Sequence, residues 1–250
     1  MKPFDEQSKI INIVVPCRNA PDNMPALAES LINQDHQDWK CYIVSDNCES
    51  TYKAASQIQD PRFFAFKNHE RQFALKNIYN TCAGLPTDAR IAIIDGDDRL
   101  CNNKALELVN QAFNEGNQIV WTANKWDDRD ENSSGPINMR ADPYDHPWVT
   151  SHMRCFKNDL LMQVPVANFQ DNKGHWFPRG YDQALMLPML HLASKEGYKV
   201  KYIDEVCYLY CHKGSSTPKV EHTDGILEAS IVATIRDRGY LDSTTCKAEG

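Results

Sequence analysis

Three aspartates stand within four residues at the end of a short apolar run, in residues 90–98 (Arg-Ile-Ala-Ile-Ile-Asp-Gly-Asp-Asp). Carboxylates this close repel one another and raise each other's pKa unless a cation lies between them. Oxygen ligands favour hard divalent ions such as Mg²⁺ and Mn²⁺, which commonly also bind phosphate oxygens. Asp95, Asp97 and Asp98 therefore predict a divalent metal site. The alternative is a solvated Asp-Gly turn whose last aspartate caps the next helix.

Apolar runs typical of strands alternate with helix-like segments along the first half of the chain. We predict strands at 10–15, 41–45, 63–66, 91–94 and 119–123, and helices at 25–33, 51–59, 72–83 and 104–114. This alternation is typical of an α/β fold with a mostly parallel sheet flanked by helices. Ligands bind such sheets at the carboxyl ends of the strands. Three segments occupy those positions: 16–19 (Pro-Cys-Arg-Asn), 46–48 (Asp-Asn-Cys) and 95–98.

The second half of the chain is less regular, because residues 124–147 are polar and rich in turn formers. A loop this long is often functional or mobile. Beyond it we predict strands at 150–156, 199–203 and 206–210, and helices at 158–163, 181–196 and 226–236. Pro188 should kink or break the helix at 181–196, and Gly197 should end it.

Composition excludes several classes of function. The chain has 250 residues, of which 42% are apolar, so it can bury a large core. Its net charge of −7 and the lack of a Lys/Arg block argue against binding to nucleic acid or to an anionic membrane surface. No apolar stretch approaches the roughly 20 residues that a membrane-spanning helix needs.

The nine cysteines predict free thiols in a reducing cytoplasm, because they form an odd, scattered set and the first residues lack the apolar core of a signal peptide. Cys207, Cys211 and His212 are spaced like part of a zinc site but lack a matching second pair. Burial as small apolar side chains explains the cysteines better.

Several segments, in order, resemble the inverting family 2 glycosyltransferases, which have the GT-A fold. Residues 11–19 resemble the opening strand and its Pro-x-aromatic-Asn turn, with Arg18 in the aromatic place, and residues 42–50 resemble the second strand and its Asp-Asp-Gly-Ser turn. Residues 74–77 are similar to the Ala-x-Arg-Asn segment, with Lys76 in the basic place. Residues 93–98 resemble the metal motif, and 180–182 the Glu-Asp motif, with Tyr181 replacing Glu. Residues 208–216 resemble the aromatic-rich strand and the loop containing histidine that closes the site.

The resemblance covers residues 10–216 and implies a metal-dependent, inverting, hexosyltransferase-like enzyme of polysaccharide biosynthesis. It would move a sugar from a nucleotide diphosphate sugar to a hydroxyl of a glycan or other acceptor. We expect one domain over 1–250, with a nucleotide-binding half at about 10–123, an acceptor-side half at about 124–216, and a C-terminal helix and tail at about 217–250.

The resemblance implies Mn²⁺ or Mg²⁺ held by Asp97 and His212, together with Asp95. Asp95 could instead bond the ribose or a metal-bound water, and Asp98 could complete the shell or cap a helix. His212 could equally be a surface histidine.

Asp46 ends a strand, where its carboxylate could accept the ring N–H of uracil, thymine or guanine, or could simply form an Asx turn. It therefore favours UDP, dTDP or GDP donors, and we expect UDP. Arg71 and Lys76 would supply cations near the diphosphate, although a helical lysine is by default solvated. The other residues expected to bind the donor are Pro16, Arg18, Asn19 and Gly96.

Asp182 is the expected general base, because an attacking alcohol must lose its proton as the new bond forms. The alternative is an ordinary aspartate stabilised by a helix N-terminus. The acceptor would meet Trp176, His152 and Tyr181, although a tryptophan is more often a core residue.

Two other functions compete with sugar transfer. A nucleotidyltransferase needs a Gly-rich loop after the first strand, and residues 16–23 contain no glycine. A catalytically silent nucleotide- or carbohydrate-binding module would not need Asp97, Asp182 and His212, and donor hydrolysis with Mn²⁺ would distinguish it.

Overall fold

The computed structural model describes residues 10–211 and 222–242. In these residues eight strands form one sheet: β1 (Ile11–Cys17), β2 (Trp39–Ser45), β3 (Phe63–Lys67), β4 (Arg90–Ile93), β5 (Arg99–Leu100), β6 (Asn117–Trp126), β7 (Arg154–Lys157) and β8 (Lys199–Tyr210). The α-helices are α1 (Met24–Ile32), α2 (Glu49–Ser56), α3 (Phe73–Ala83), α4 (Ala105–Asn114), α5 (Asn158–Gln163), α6 (Tyr181–Glu196) and α7 (His222–Arg238). The predicted α/β class is confirmed.

The strand order is β3-β2-β1-β4-β7-β6-β8-β5. Strands β3, β2, β1 and β4 are parallel, as are β6 and β8, whereas β7 is antiparallel to both of its neighbours and β5 is antiparallel to β8. The sheet is therefore mixed, with a parallel half built from the first part of the chain.

Both faces of the sheet are covered by helices. All seven residues of β1 are buried, as expected for a central strand whose two faces both lie under helices. Apolar side chains of α1, α2 and α4 pack on one face, and those of α3, α5, α6 and α7 pack on the other.

Two predicted interruptions do not occur. The two strands expected at 199–203 and 206–210 are one strand, β8, because the pairing with β6 shifts register between Thr122 and Ala123 without ending. Such a bulge bends a strand but lets the ladder continue. The helix α6 runs unbroken through Pro188, so the expected break is wrong. Residues 184–190 are all buried, and this packing outweighs the lost backbone hydrogen bond.

The carboxyl ends of β1, β2 and β4 meet at one edge of the sheet. Cys17 lies opposite Ser45, so Arg18 and Asp46 leave the sheet side by side. Strand β7 starts at the same edge, with Arg154 opposite Ile93. Residues distant in sequence thus converge near Asp95.

The eight cysteines in the described part of the chain are all free, and seven of them are buried. None of the described helices is both long and apolar enough to cross a bilayer.

Candidate active site

Tyr208 joins two of the three clustered aspartates, Asp95 through its backbone and Asp98 through its carboxylate. The backbone N–H of Asp95 donates to the Tyr208 hydroxyl oxygen over 3.0 Å, and that hydroxyl donates to Asp98 Oδ2 over 2.7 Å. The backbone N–H of Cys211 donates to Asp98 Oδ1 over 2.8 Å. Burial, followed by the charges of Asp95 and Asp97, holds the pKa of Asp98 well above its ordinary value. Asp98 therefore closes the turn onto β8.

Asp98 does not cap a helix, so that alternative is wrong. Helix α4 begins at Ala105, and in its first turn the backbone N–H of Leu106 donates to Gln34 Oε1 over 3.1 Å. The carboxylate oxygens of Asp98 are instead bound by Tyr208 and Cys211.

Gly96 brings this turn against the end of β1. A Cβ atom on Gly96 would lie 2.2 Å from the Cβ of Cys17, closer than real side chains approach. The next residue, Asp97, is partly exposed, and its backbone carbonyl accepts a hydrogen bond from Asn23 Nδ2 over 3.0 Å. The glycine is therefore required by close approach of the two segments.

A group that could bind a metal ion forms around His152. Within residues 10–211 and 222–242, the ligand atoms of Asp95, Asp98 and His152 lie within 4.8 Å of one another. The imidazole stacks on Tyr208 with 4.6 Å between ring centroids, and its Nδ1 lies 4.0 Å from Asp95 Oδ2. That buried nitrogen has no hydrogen-bond partner among the described residues. Burial, and then the charge of Arg154, lower the pKa of His152, which keeps it in the neutral form that binds metals.

These three residues fit a divalent cation, but they differ from the predicted ligand set of Asp97, His212 and Asp95. Asp95 belongs to both sets. Asp97 is not part of the group in the described structure, and His212 lies outside the described residues. His152, expected near the acceptor, lies beside these carboxylates, and its contact with an acceptor stays a prediction.

Arg154 is the functional candidate that sequence reasoning missed. It is 2% exposed, and its Nη2 donates to Asp95 Oδ2 over 3.0 Å. Nη2 also donates to the Tyr181 hydroxyl oxygen, while Nη1 donates to the Ser151 carbonyl over 2.8 Å. The sequence did contain a signal for this residue, because Arg154 lies inside the strand predicted at 150–156. A charge buried in a strand requires partners, which marks the residue as a candidate.

Asp46 lies at the end of β2, but its carboxylate organises the start of α3. Oδ1 accepts the backbone N–H of Gln72 over 2.7 Å, and Oδ2 accepts that of Phe73 over 3.0 Å. Asn68 Nδ2 also donates to Oδ1, over 3.2 Å. Phe73 has a φ of 60°, and these bonds hold that unusual backbone.

The other residues expected to bind the donor lie around the same edge. Arg18 Nη1 donates to the Asp46 carbonyl over 3.1 Å, and the Nε of Arg71 lies 4.0 Å from Asp46 Oδ2. Pro16 is buried in β1, Asn19 is exposed after it, and Lys76 is partly buried on α3. Two cationic side chains, Arg18 and Arg71, therefore lie near Asp46.

Helix α6 begins with Tyr181 and Asp182. The Tyr181 hydroxyl donates to Asp95 Oδ1 and lies in the same hydrogen-bond group as Arg154. Burial raises the pKa of Asp182, and the charge of Arg154 opposes that rise. A carboxyl with a raised pKa near other acidic groups is a candidate for proton transfer.

Trp176 is partly buried and packs against the core. Its ring centroid lies 5.1 Å from that of Tyr79 and 6.0 Å from that of Phe169. These contacts correspond to the core-packing alternative for this tryptophan, and a role toward the acceptor stays a prediction.

Comparisons with solved structures identify the fold. Residues 1–349 of TarS from S. aureus superpose with a TM-score of 0.62 at 13% identity, over 94% of this chain and 67% of that one. A longer TarS structure gives 0.65 at 14%, over 94% of this chain and 41% of that one. The mannosyltransferase PcManGT from Pyrobaculum calidifontis, in complex with GDP-Man and Mn²⁺, gives 0.58 at 14%, over 90% of this chain and 62% of that one. The chain thus spans only part of these proteins.

Sequence comparisons identify the family. No curated protein matches this sequence significantly. The model of the family described as "Glycosyl transferase family 2" matches residues 12–183, more than half of the chain. Together with the shared GT-A fold, this match shows that the chain belongs to glycosyl transferase family 2.

Proposed function

We propose that this protein is a metal-dependent, inverting glycosyltransferase that moves a sugar from a nucleotide diphosphate sugar, with UDP favoured, to a hydroxyl of a glycan or other acceptor. The observation that carries the proposal is the convergence of Asp95, Asp98 and His152 at the carboxyl ends of the parallel strands. In α/β sheets this edge is where ligands bind.

The donor would lie along the ends of β1, β2 and β4. Asp46 would face the base, and Arg18, Arg71 and Lys76 would offset the charge of the diphosphate. TarS has been solved with UDP and with UDP-GlcNAc, and PcManGT with GDP-Man. These ligands belong to those proteins, and they support a UDP- or GDP-linked donor here.

Asp95, Asp98 and His152 would hold the divalent ion, with Asp97 and His212 as the other proposed ligands. When bound, such an ion stabilises the negative charge that develops on the leaving diphosphate. Tyr208 contributes by bonding the backbone of Asp95 and the carboxylate of Asp98, and Arg154 and Tyr181 hold the carboxylate of Asp95. Both carboxylates are therefore oriented before any ligand arrives.

Asp182 would take the proton of the attacking hydroxyl. As general base it would act from the side of the sugar opposite the leaving group, and a single displacement from that side inverts the anomeric carbon. Its raised pKa favours this role, because a base accepts a proton better when its pKa approaches the working pH.

We also propose that the protein works in the cytoplasm, since the eight described cysteines are free thiols.

A catalytically silent nucleotide- or carbohydrate-binding module is the second candidate. It is favoured by the protein partners of Asp95 and Asp98, whose oxygens are bound by Arg154, Tyr181, Tyr208 and Cys211. A carboxylate satisfied in this way can be purely structural.

A donor screen separates the two candidates. Purified protein with Mn²⁺ and a panel of nucleotide sugars should release nucleotide from at least one donor, and the product should have the opposite anomeric configuration by NMR. Binding of a donor without release would support the silent module, and a retained configuration would contradict the mechanism.

Removal of the metal is the second test. Excess EDTA should abolish turnover, and added Mn²⁺ should restore it, because the negative charge that develops on the leaving diphosphate then loses the divalent cation that would stabilise it. His152→Ala should weaken Mn²⁺ binding in calorimetry, whereas the exposed His175→Ala should not. Full turnover in EDTA, with no metal left by elemental analysis, would contradict metal dependence.

A further inference from the structure

Arg154 is a buried charge at the centre of the candidate active site. It lies on β7, opposite Ile93 of β4, and is 2% exposed. Burying an unpaired guanidinium is strongly unfavourable, so a buried arginine needs partners that replace its lost hydration. The partners of Arg154 therefore indicate its role.

The partners form a closed ring of hydrogen bonds. Arg154 Nη2 donates to Asp95 Oδ2 and to the Tyr181 hydroxyl oxygen, and the Tyr181 hydroxyl donates to Asp95 Oδ1. The guanidinium carbon also lies 4.9 Å from the centroid of the Tyr181 ring. Both oxygens of the Asp95 carboxylate are therefore held.

This ring joins two elements that are far apart in sequence. Asp95 belongs to the turn after β4, while Tyr181 is the first residue of α6 and directly precedes Asp182. The Ser151 carbonyl, which accepts from Arg154 Nη1 over 2.8 Å, anchors the arginine from a third segment. A shift of α6 relative to the turn would break these bonds.

We propose that Arg154 is a positioning residue that couples the donor side of the site to the general base. Through Tyr181 it holds the start of α6, and with it Asp182, in a set position relative to Asp95. The inference rests on the proposed function, in which Asp95 lies beside the donor and Asp182 takes the acceptor's proton. Displacement of a catalytic group by about 1 Å can lower the rate on the order of 10²-fold. Holding Asp182 in place can therefore affect the rate strongly enough to explain why a charge is buried here.

Two variants test the coupling. Tyr181→Phe removes the hydroxyl but keeps the ring against the guanidinium, and Arg154→Lys keeps the charge but loses the planar fork of donors. We expect each to lower kcat by about 10- to 100-fold, the range for residues that orient a site. In Tyr181→Phe the donor KM should change by no more than about threefold, because Arg154 still holds Asp95.

The double variant gives the decisive result. If the two residues act as one unit, Arg154→Lys with Tyr181→Phe should lose no more activity than Arg154→Lys alone, because the link is already broken. Losses that multiply would show independent roles and would overturn the coupling. So would a Tyr181→Phe variant with the kcat of the wild type.

Controls separate positioning from stability and from the proposed function. Tyr202→Phe removes a hydroxyl that donates to Asp204 and accepts from Asn132, neither of which belongs to the ring around Arg154, and it should leave kcat unchanged. Melting temperatures of all variants identify losses that come from unfolding. If Arg154→Lys does not fold, kcat and KM of Tyr181→Phe decide alone. An inactive wild type would overturn the proposed function and this inference together, whereas an active wild type with an unaffected Tyr181→Phe would overturn only the inference.

Discussion

At the scale of single residues, Asp182 carries the most direct prediction. Asp182→Asn keeps the shape of the side chain but removes the basic electron pair, so transfer should fall by about 10²-fold or more. Donor binding in calorimetry should hardly change. An Asn variant that transfers sugar at nearly the wild-type rate would exclude Asp182 as the base.

The pH dependence of activity follows from the same residue. Burial raises the pKa of Asp182 above the ordinary value of 3.8. A general base works only when deprotonated, so turnover should be present above the raised pKa and should be lost as the pH falls through it. The acid limb of kcat should therefore lie above the pH at which an exposed aspartate titrates. The residual activity of Asp182→Asn provides the check. If its kcat still falls at the same acidic pH, a group other than Asp182 is responsible for that fall.

Asp46 has two roles to separate. If it accepts a ring N–H of the base, Asp46→Ala should weaken UDP binding by roughly 1–3 kcal/mol. Binding of CDP should change much less, because cytosine lacks that N–H. Equal losses for UDP and CDP in titration calorimetry would mean that Asp46 acts only by holding Gln72 and Phe73.

At the scale of elements, the contact between the turn after β4 and the end of β1 depends on Gly96. Gly96→Ala should lower the free energy of unfolding by about 1–3 kcal/mol, because the added Cβ overlaps Cys17. Gly84→Ala is the matched control, since its nearest neighbouring atom would be an ordinary 3.5 Å away. Guanidinium denaturation of the two variants measures the difference, and equal midpoints would contradict the close approach.

At the scale of the whole molecule, α7 is hydrogen-bonded to the irregular half of the chain through Arg236. Arg236 Nη1 donates to the carbonyls of Tyr144 and His146, and its Nε donates to Gln183 of α6 over 2.7 Å. One side chain thus ties the long loop and the helix that carries Asp182 to α7.

Arg236→Met should therefore destabilise the protein by about 1–3 kcal/mol, since two partly buried carbonyls and the Gln183 side chain lose their donor. The neighbouring Asp237 is exposed, and Asp237→Asn should stay within about 0.5 kcal/mol of the wild type. Urea unfolding followed by fluorescence would measure both, and equal effects would show that α7 is not fastened through Arg236.

The parallel half of the fold and the place of the acidic turn were both predictable from local patterns in the sequence. Apolar runs such as residues 11–15 and 91–94 are local signals, because a central strand needs apolar side chains on both faces. The clustered aspartates at the end of one such run indicated a cation-binding edge without any knowledge of distant residues. The continuity of α6 through Pro188 was not predictable in the same way, because the packing that permits it is non-local.

The residues that contact the aspartates, in contrast, come from distant parts of the chain. Strand β7 enters the sheet beside β4 from more than 50 residues downstream, and this antiparallel pairing brings Arg154 and His152 to Asp95. Two of the groups that bind the Asp46 carboxylate are the backbone N–H groups of Gln72 and Phe73, and a backbone N–H is the same whatever side chain the residue carries. Pairings of this kind depend on the packing of the whole chain, and a single sequence carries no local pattern from which they follow.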